Sequence, residues 1–143
     1  MKNYDILVLS GGFDPLHVGH IRMFQHARDM AALLVVGVNS DDWLQRNRGR
    51  VYMPFEERRE MVASIRGVTS AVGFDDADDT AVSLLRMVHT MSPGAKLAFG
   101  NGGERTAVNV PEVDVCKELG VDLVWGLGGD HVQASSDRVH RPL

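Results

Sequence analysis

The sequence predicts one α/β domain, residues 1–143, built as a doubly wound parallel sheet of five strands with helices on both faces. Three observations predict it. Short unbroken apolar runs alternate with segments of helical periodicity along the whole chain, and each of three glycine-rich turns follows an apolar run. A length of 143 residues with 44% hydrophobic content supplies one sizeable core and little material for a second. In such a sheet ligands bind beyond the carboxyl ends of the strands where strand order reverses, and all three glycine turns fall on that edge.

The elements follow in order. Ile6, Leu7, Val8 and Leu9 form a buried strand ending at Gly11-Gly12. Pro15 excludes a helix interior, and beyond it Ile21, Phe24, Ala27 and Ala31 recur at helical spacing, so a helix starts near Val18. Leu33 to Val38 is the second strand, joined by a right-handed crossover. Asp41 to Met53, with Arg46, Arg48 and Arg50, has no clean periodicity and reads as a long loop able to fold over an anion. Pro54 fits the first position of a second helix, with Glu56 and Glu57 in its first turn, Met61, Val62 and Ile65 inward, and Arg66-Gly67 at its end. Ser70 to Phe74 is a third strand. The run Asp75, Asp76, Asp78 and Asp79 lacks the spacing of a calcium loop and reads as capping and solvation before a helix carrying Val82, Leu85, Val88 and Met91. Pro93-Gly94 precedes a fourth strand, Lys96 to Phe99. Pro111 and Glu112 open a helix stopped by Gly120, and Val121 to Trp125 form the fifth strand.

The formal net charge of -4 gives no overall attraction for nucleic acid or an anionic membrane. No apolar run approaches the ~18 residues of a membrane span, and the opening residues do not read as a signal peptide. Cys116 has no partner for an internal disulfide and packs as a small hydrophobe; the expected compartment is reducing and cytoplasmic.

The chemistry concentrates between Ser10 and Ala31. Gly11 and Gly12, then Asp14, Pro15, His17 and His20, occupy one strand-to-helix turn, so two imidazoles and a positive helix end share one small space. That combination suits a triphosphate. Two histidines three apart also suit a metal, but no cysteine lies nearby to complete a zinc set.

The stretch GGFDPLHVGH resembles the G-x-F-D-x-x-H-x-G-H signature of the cytidylyltransferase-like nucleotidyltransferases, which include glycerol-3-phosphate cytidylyltransferase and the adenylyltransferase that forms ADP-heptose. The resemblance runs through nearly the whole chain. Asn39-Ser40-Asp41, the QRNRG stretch with Arg46 and Arg48 where the family carries lysines, Pro54-Phe55-Glu56-Glu57-Arg58 and Gly102-Gly103-Glu104 all resemble family segments. Near the end Ser135 and Ser136 match a serine/threonine motif from which Asp137 departs.

The resemblance implies a Rossmann-like domain that moves an AMP or CMP moiety from ATP or CTP to a phosphorylated sugar or polyol, with Mg2+ as cofactor and a homodimer as the assembly. It implies catalytic roles for His17, His20 and Arg46, and nucleotide contacts from Gly11, Gly12, Phe13, Gly19, Gly102, Gly103, Glu104, Ser135 and Ser136. Asp14 is expected to orient the acceptor or the magnesium ion, Arg48 to close over phosphate, and Arg58 to hold a phosphate. Pantetheine phosphate and FMN remain alternative acceptors, and a nucleotide-binding module without turnover is a reading from another class. A dinucleotide-binding dehydrogenase requires G-x-G-x-x-G after the first strand, which this sequence does not supply.

Overall fold

In the computed structural model, which describes residues 2–102 and 110–128, the elements run β1 (Tyr4–Gly11), α1 (Val18–Met30), β2 (Ala31–Val38), α2 (Asp41–Arg48), α3 (Phe55–Ala63), β3 (Ser70–Gly73), α4 (Val82–Met91), β4 (Leu97–Gly102), α5 (Val113–Leu119) and β5 (Asp122–Leu127). All strand pairs are parallel, in the order β3-β2-β1-β4-β5. The five-stranded doubly wound sheet is therefore as the sequence predicts, and order reverses between β1 and β4.

The strands read as unbroken apolar runs because both faces are covered. Leu7 and Leu9 of β1 join Phe24 and Ala27 of α1, Val62 of α3 and Leu127 in one core cluster. Ile6 and Val8 join Leu84, Leu85 and Val88 of α4 and Val115 and Cys116 of α5 in the other. Alternation along one strand thus assigns α1 and α3 to one face of the sheet and α4 and α5 to the opposite face.

The principal difference from expectation is α2. Residues 41–48, expected as loop, form a helix whose terminal signals are complete: Ser40 accepts the Trp43 amide at its N-cap, Asp41 and Asp42 fill the first turn, Arg46 and Arg48 the last, and Gly49 closes it at φ 79°. The periodicity is faint because Leu44 is the one residue of this helix that is buried. At α3, Pro54 is the N-cap rather than the first helical residue, the helix ends at Ala63, and Met61 faces solvent rather than inward.

The acidic run also departs from expectation. Ala81, not an aspartate, caps α4, and its amide is satisfied across the structure by the buried Glu112 carboxylate at 2.8 Å. Asp76 is buried rather than solvated, accepting from Asn39 Nδ2, the Ser40 amide and Ser40 Oγ at 2.7–3.0 Å. It fastens the start of α2 to the turn after β3.

Candidate active site at the β1–α1 turn

The turn from β1 to α1 is built by its two histidines acting as a capping pair. His17 is the N-cap of α1, and its Nδ1 accepts the Gly19 amide at 3.1 Å; His20, three residues on, accepts the His17 amide on its own Nδ1 at 3.1 Å. This is the geometry of a Ser-x-x-Glu capping box with imidazole nitrogens in place of oxygens. With both Nδ1 atoms accepting, the ring proton of each neutral imidazole sits on Nε2. The rings stack with centroids 3.8 Å apart at 23°. Two Nε2–H donors therefore sit on stacked rings at the positive end of α1.

Phe13 fixes the pair from below. Its buried ring meets His20 edge-on at 5.0 Å and Phe24 of α1 at 5.6 Å, and its backbone takes a positive φ of 53°, a strained value for a non-glycine residue that the packing enforces. Phe13 also explains Gly11, where a Cβ would lie 2.9 Å from the Phe13 ring. At Gly12 a Cβ would lie 2.9 Å from Leu44 and 3.5 Å from Trp43 of α2. The glycines were expected to bring backbone close to phosphate. The space their missing side chains leave is taken by the Phe13 ring at Gly11 and by α2 at Gly12, which seats α2 against the turn.

Two further residues have protein partners. Asp14, expected to orient the acceptor or a magnesium ion, accepts the Tyr52 and Met53 amides on its two oxygens at 2.7 and 2.9 Å, fixing the segment that enters α3. Arg58, expected to hold a phosphate, is engaged by protein. Its guanidinium is fully buried and donates to the carbonyls of Met53 at 2.8 Å, Gly12 at 3.0 Å and Asn39 at 2.7 Å, and to Asp41 at 2.6 Å. The fork of one arginine thus joins the first glycine turn, the end of β2, the start of α2 and the entry to α3.

The arginines of α2 divide. Arg46, expected to close over phosphate, donates to the Asp76 carbonyl at 2.9 Å and to Asp79 at 3.0 Å, and Asn47 also donates to Asp79 at 3.1 Å, holding α2 to the acidic turn. These bonds hold the Asp79 carboxyl below its ordinary range, Asn47 contributing most and Arg46 next. Arg48 lies over the Trp43 ring at 5.5 Å, one aromatic ring away from Gly12, and so flanks the turn.

On the neighbouring strand Gly102 ends β4, packed so closely that a Cβ would meet Met23 Sδ of α1 at 3.1 Å and the Leu127 carbonyl at 3.2 Å. Gly103, Glu104, Ser135 and Ser136 lie outside the described residues. Sequence reasoning missed Leu44, Trp43 and Asp76, which position the turn from α2, and Asn101, a buried polar residue at the end of β4. Among the described residues no three histidine, cysteine, aspartate or glutamate side chains gather as a metal site. None of their helices is long and apolar enough to cross a membrane.

Comparison with known proteins agrees with this architecture. Among curated relatives, the bifunctional protein HldE of Geobacter metallireducens is 32% identical over 140 residues, 95% of this chain and 27% of its own length. HldE of Geotalea uraniireducens is 35% identical over 128 residues, 87% of this chain and 24% of its own. The chain therefore spans about a quarter of the length of these relatives. Among solved structures, a lipopolysaccharide core biosynthesis protein from Thermoplasma volcanium shares the fold with a TM-score of 0.64 at 20% identity, covering 85% of this chain and 95% of that one. A putative nicotinate-nucleotide adenylyltransferase from Vibrio parahaemolyticus does so with a TM-score of 0.63 at 15% identity, covering 98% and 85%. The cytidylyltransferase-like family model matches residues 8–141, nearly the whole chain, and with the HVGH turn at the head of α1 it places the protein in the cytidylyltransferase-like family.

Proposed function

We propose that the protein is a nucleotidyltransferase that moves an AMP or CMP moiety from ATP or CTP to a phosphorylated sugar or polyol. An oxygen of the acceptor phosphate forms a bond to the α-phosphorus, the bond from that phosphorus to the α–β bridging oxygen breaks, and pyrophosphate leaves with the electron pair. The acceptor phosphate is already ionised at neutral pH, so no protein nucleophile or base is required; alignment and charge stabilisation are the protein's share. The observation that carries the reading is the stacked His17–His20 pair, whose Nδ1 atoms are occupied by backbone amides so that both Nε2–H groups are donors at a helix N-terminus. Hydrogen bonds from these groups strengthen as negative charge builds on the departing phosphate. Arg48, beside the turn, supplies a further positive charge.

Magnesium enters this scheme as part of the triphosphate substrate. Asp14 is engaged by two amides, and the described residues assemble no metal cage. An ion that keeps most of its waters and binds phosphate oxygens needs none. Turnover is expected to stop in excess chelator.

The test is pyrophosphate release from ATP and CTP, each paired with sugar phosphates, polyol phosphates, pantetheine phosphate and FMN. Release with a sugar or polyol phosphate is the expected result. Nucleotide binding without release from any pair would refute the transferase and leave a binding module.

A further inference from the structure

We propose that Asp79 is a positioning residue for triphosphate binding: through Arg46 and Asn47 it braces the last turn of α2 and so keeps Arg48 and Trp43 beside the Gly12 turn. This rests on the nucleotidyltransferase reading and adds to it a residue that acts through other side chains.

The two ends of α2 are held by different means. The first half is fixed by buried groups: Asp76 accepts from Asn39 and Ser40, the buried Arg58 guanidinium grips Asp41, and Leu44 is buried against Gly12. Beyond Leu44 the hydrogen bonds that tie the helix to other elements run to the turn 76–79. Arg46 donates to the Asp76 carbonyl and to Asp79 Oδ1, and Asn47 donates to that same oxygen. Helix ends fray unless something holds them, and Arg48 stands in this last turn, just before the Gly49 cap.

Spacing along the helix gives its two arginines different tasks. Arg48 is four residues after Leu44 and shares its face, toward the glycine turn, where it lies over the Trp43 ring. Arg46 is two residues from each and points to the acidic turn instead. Asp79 itself holds a backbone φ of 65°, which glycine adopts freely and few other residues do, and the carboxylate it carries there receives two donors on one oxygen. The Arg46 and Asp79 side chains are 42% and 51% exposed, so their contact adds little to global stability. Its effect is local, on where the last turn lies.

Charge alone predicts the opposite of this role. Asp79 is an anion on the same edge of the sheet as a site for anions, so removing its charge favours a triphosphate, and it also frees Arg46 for a ligand. A brace predicts weaker binding when the carboxylate is lost.

Asp79→Gly and Asp79→Asn separate the two. Both remove the charge and both suit the positive φ, but asparagine keeps an oxygen for Arg46 and Asn47 and glycine does not. ATP, CTP and inorganic tripolyphosphate are titrated against wild type and each variant. Asp79→Gly is expected to bind them about fivefold or more weakly than wild type and to melt within about 4 °C of it, while Asp79→Asn binds as tightly as wild type or more so. In the chain without triphosphate, the Trp43 indole N–H signal, assigned by its loss in Trp43→Phe, is expected to move in Asp79→Gly and to stay in place in Asp79→Asn.

Unchanged or tighter binding by Asp79→Gly, an equal loss in both variants, or a stationary Trp43 signal overturns the proposal. A large fall in melting temperature, or a glycine variant that does not fold, assigns Asp79 to global stability and overturns it as well. Triphosphate binding that Asp79→Gly leaves intact sinks this inference alone. The expected pattern of binding without pyrophosphate release from any acceptor sinks the reaction and leaves the brace standing, and a wild-type chain that binds none of the three sinks both.

Discussion

Replacing Arg58 by methionine separates a structural arginine from a phosphate ligand. Methionine keeps most of the buried length and removes the fork, so the carbonyls of Gly12, Asn39 and Met53 and one oxygen of Asp41 lose their donor. Asn39 is buried, and its stranded carbonyl carries a penalty of about 1–3 kcal/mol. Gly12 and Met53 are half-buried and partly rehydrate, which leaves about 0.5–1 kcal/mol each. The Asp41 side chain is 46% exposed and returns to water at little cost. The sum is about 2–5 kcal/mol, within the range for removing one partner of a buried charge network. At ~3–4 °C per kcal/mol for a chain of this size, the melting temperature is expected to fall by about 6–20 °C. Thermal and urea denaturation measure it, with nucleotide affinity read in parallel below the transition. A melting temperature within about 2 °C of wild type, together with a large loss of triphosphate or acceptor affinity, would refute the reasoning and return Arg58 to the ligand.

His20→Ala removes one of the two stacked donors and is expected to slow turnover about 100-fold or more; a rate within about tenfold of wild type would take the ring out of the catalytic set. Gly100→Ala places a methyl 2.3 Å from Leu127, 2.6 Å from Leu9 and 2.9 Å from Leu7, so an overpacking cost of about 1–3 kcal/mol is expected as a lower urea midpoint. An unchanged midpoint would mean that β5 moves aside freely. Burial first, and the nearby Glu112 second, push the Cys116 thiol up from its ordinary 9.0 to about 11, so the folded chain holds this proton more tightly than the unfolded chain. Its contribution to stability is complete below pH 9 and is lost as pH rises toward 11. The stability difference between wild type and Cys116→Ala should therefore be constant to pH 9 and then move against the wild type; a difference that stays flat through pH 11 would contradict it.

The strands, α1 and the order of elements were legible because they depend on information local in the chain. A strand covered on both faces must be apolar without interruption, as Leu34 to Val38 is, and a helix under a sheet must repeat its apolar residues as Phe24 and Ala27 do. The helix α2 was not legible by that rule. It rests on the turn through Leu44 and Trp43 and is held by polar bonds from Asp76 and Asp79, so it carries almost no apolar stripe. Its caps were nevertheless written in Ser40, the two aspartates after it and Gly49, and reading those signals ahead of periodicity would have found it. Asp76 was misread for a related reason: four acidic residues in a row look solvated, and nothing local distinguishes the one that Asn39 and Ser40 bury.

At the site, residue type suggested phosphate contacts, and the structure gives several of those side chains protein partners. An arginine, an aspartate and two glycines around one turn suggest phosphate, yet the turn must first hold its own shape. Three segments end beside it, at Gly12, Asn39 and Met53, and each leaves a carbonyl pointing inward that an arginine fork can satisfy at once. The amides of Tyr52 and Met53 need acceptors in turn, and Asp14 supplies both. These partners lie up to 46 residues away in the chain, beyond the reach of local pattern. Of these side chains only the histidines can accept from the backbone on one atom and donate from another, because an imidazole accepts on one nitrogen while it donates from the other. Serine or glutamate at the same two positions would cap α1 as well, but neither would leave a pair of fixed N–H donors at its head. Replacing the pair by Ser and Glu is therefore a capping-neutral change in this fold, and a loss of triphosphate binding with an unchanged melting temperature is the result that this division of labour requires.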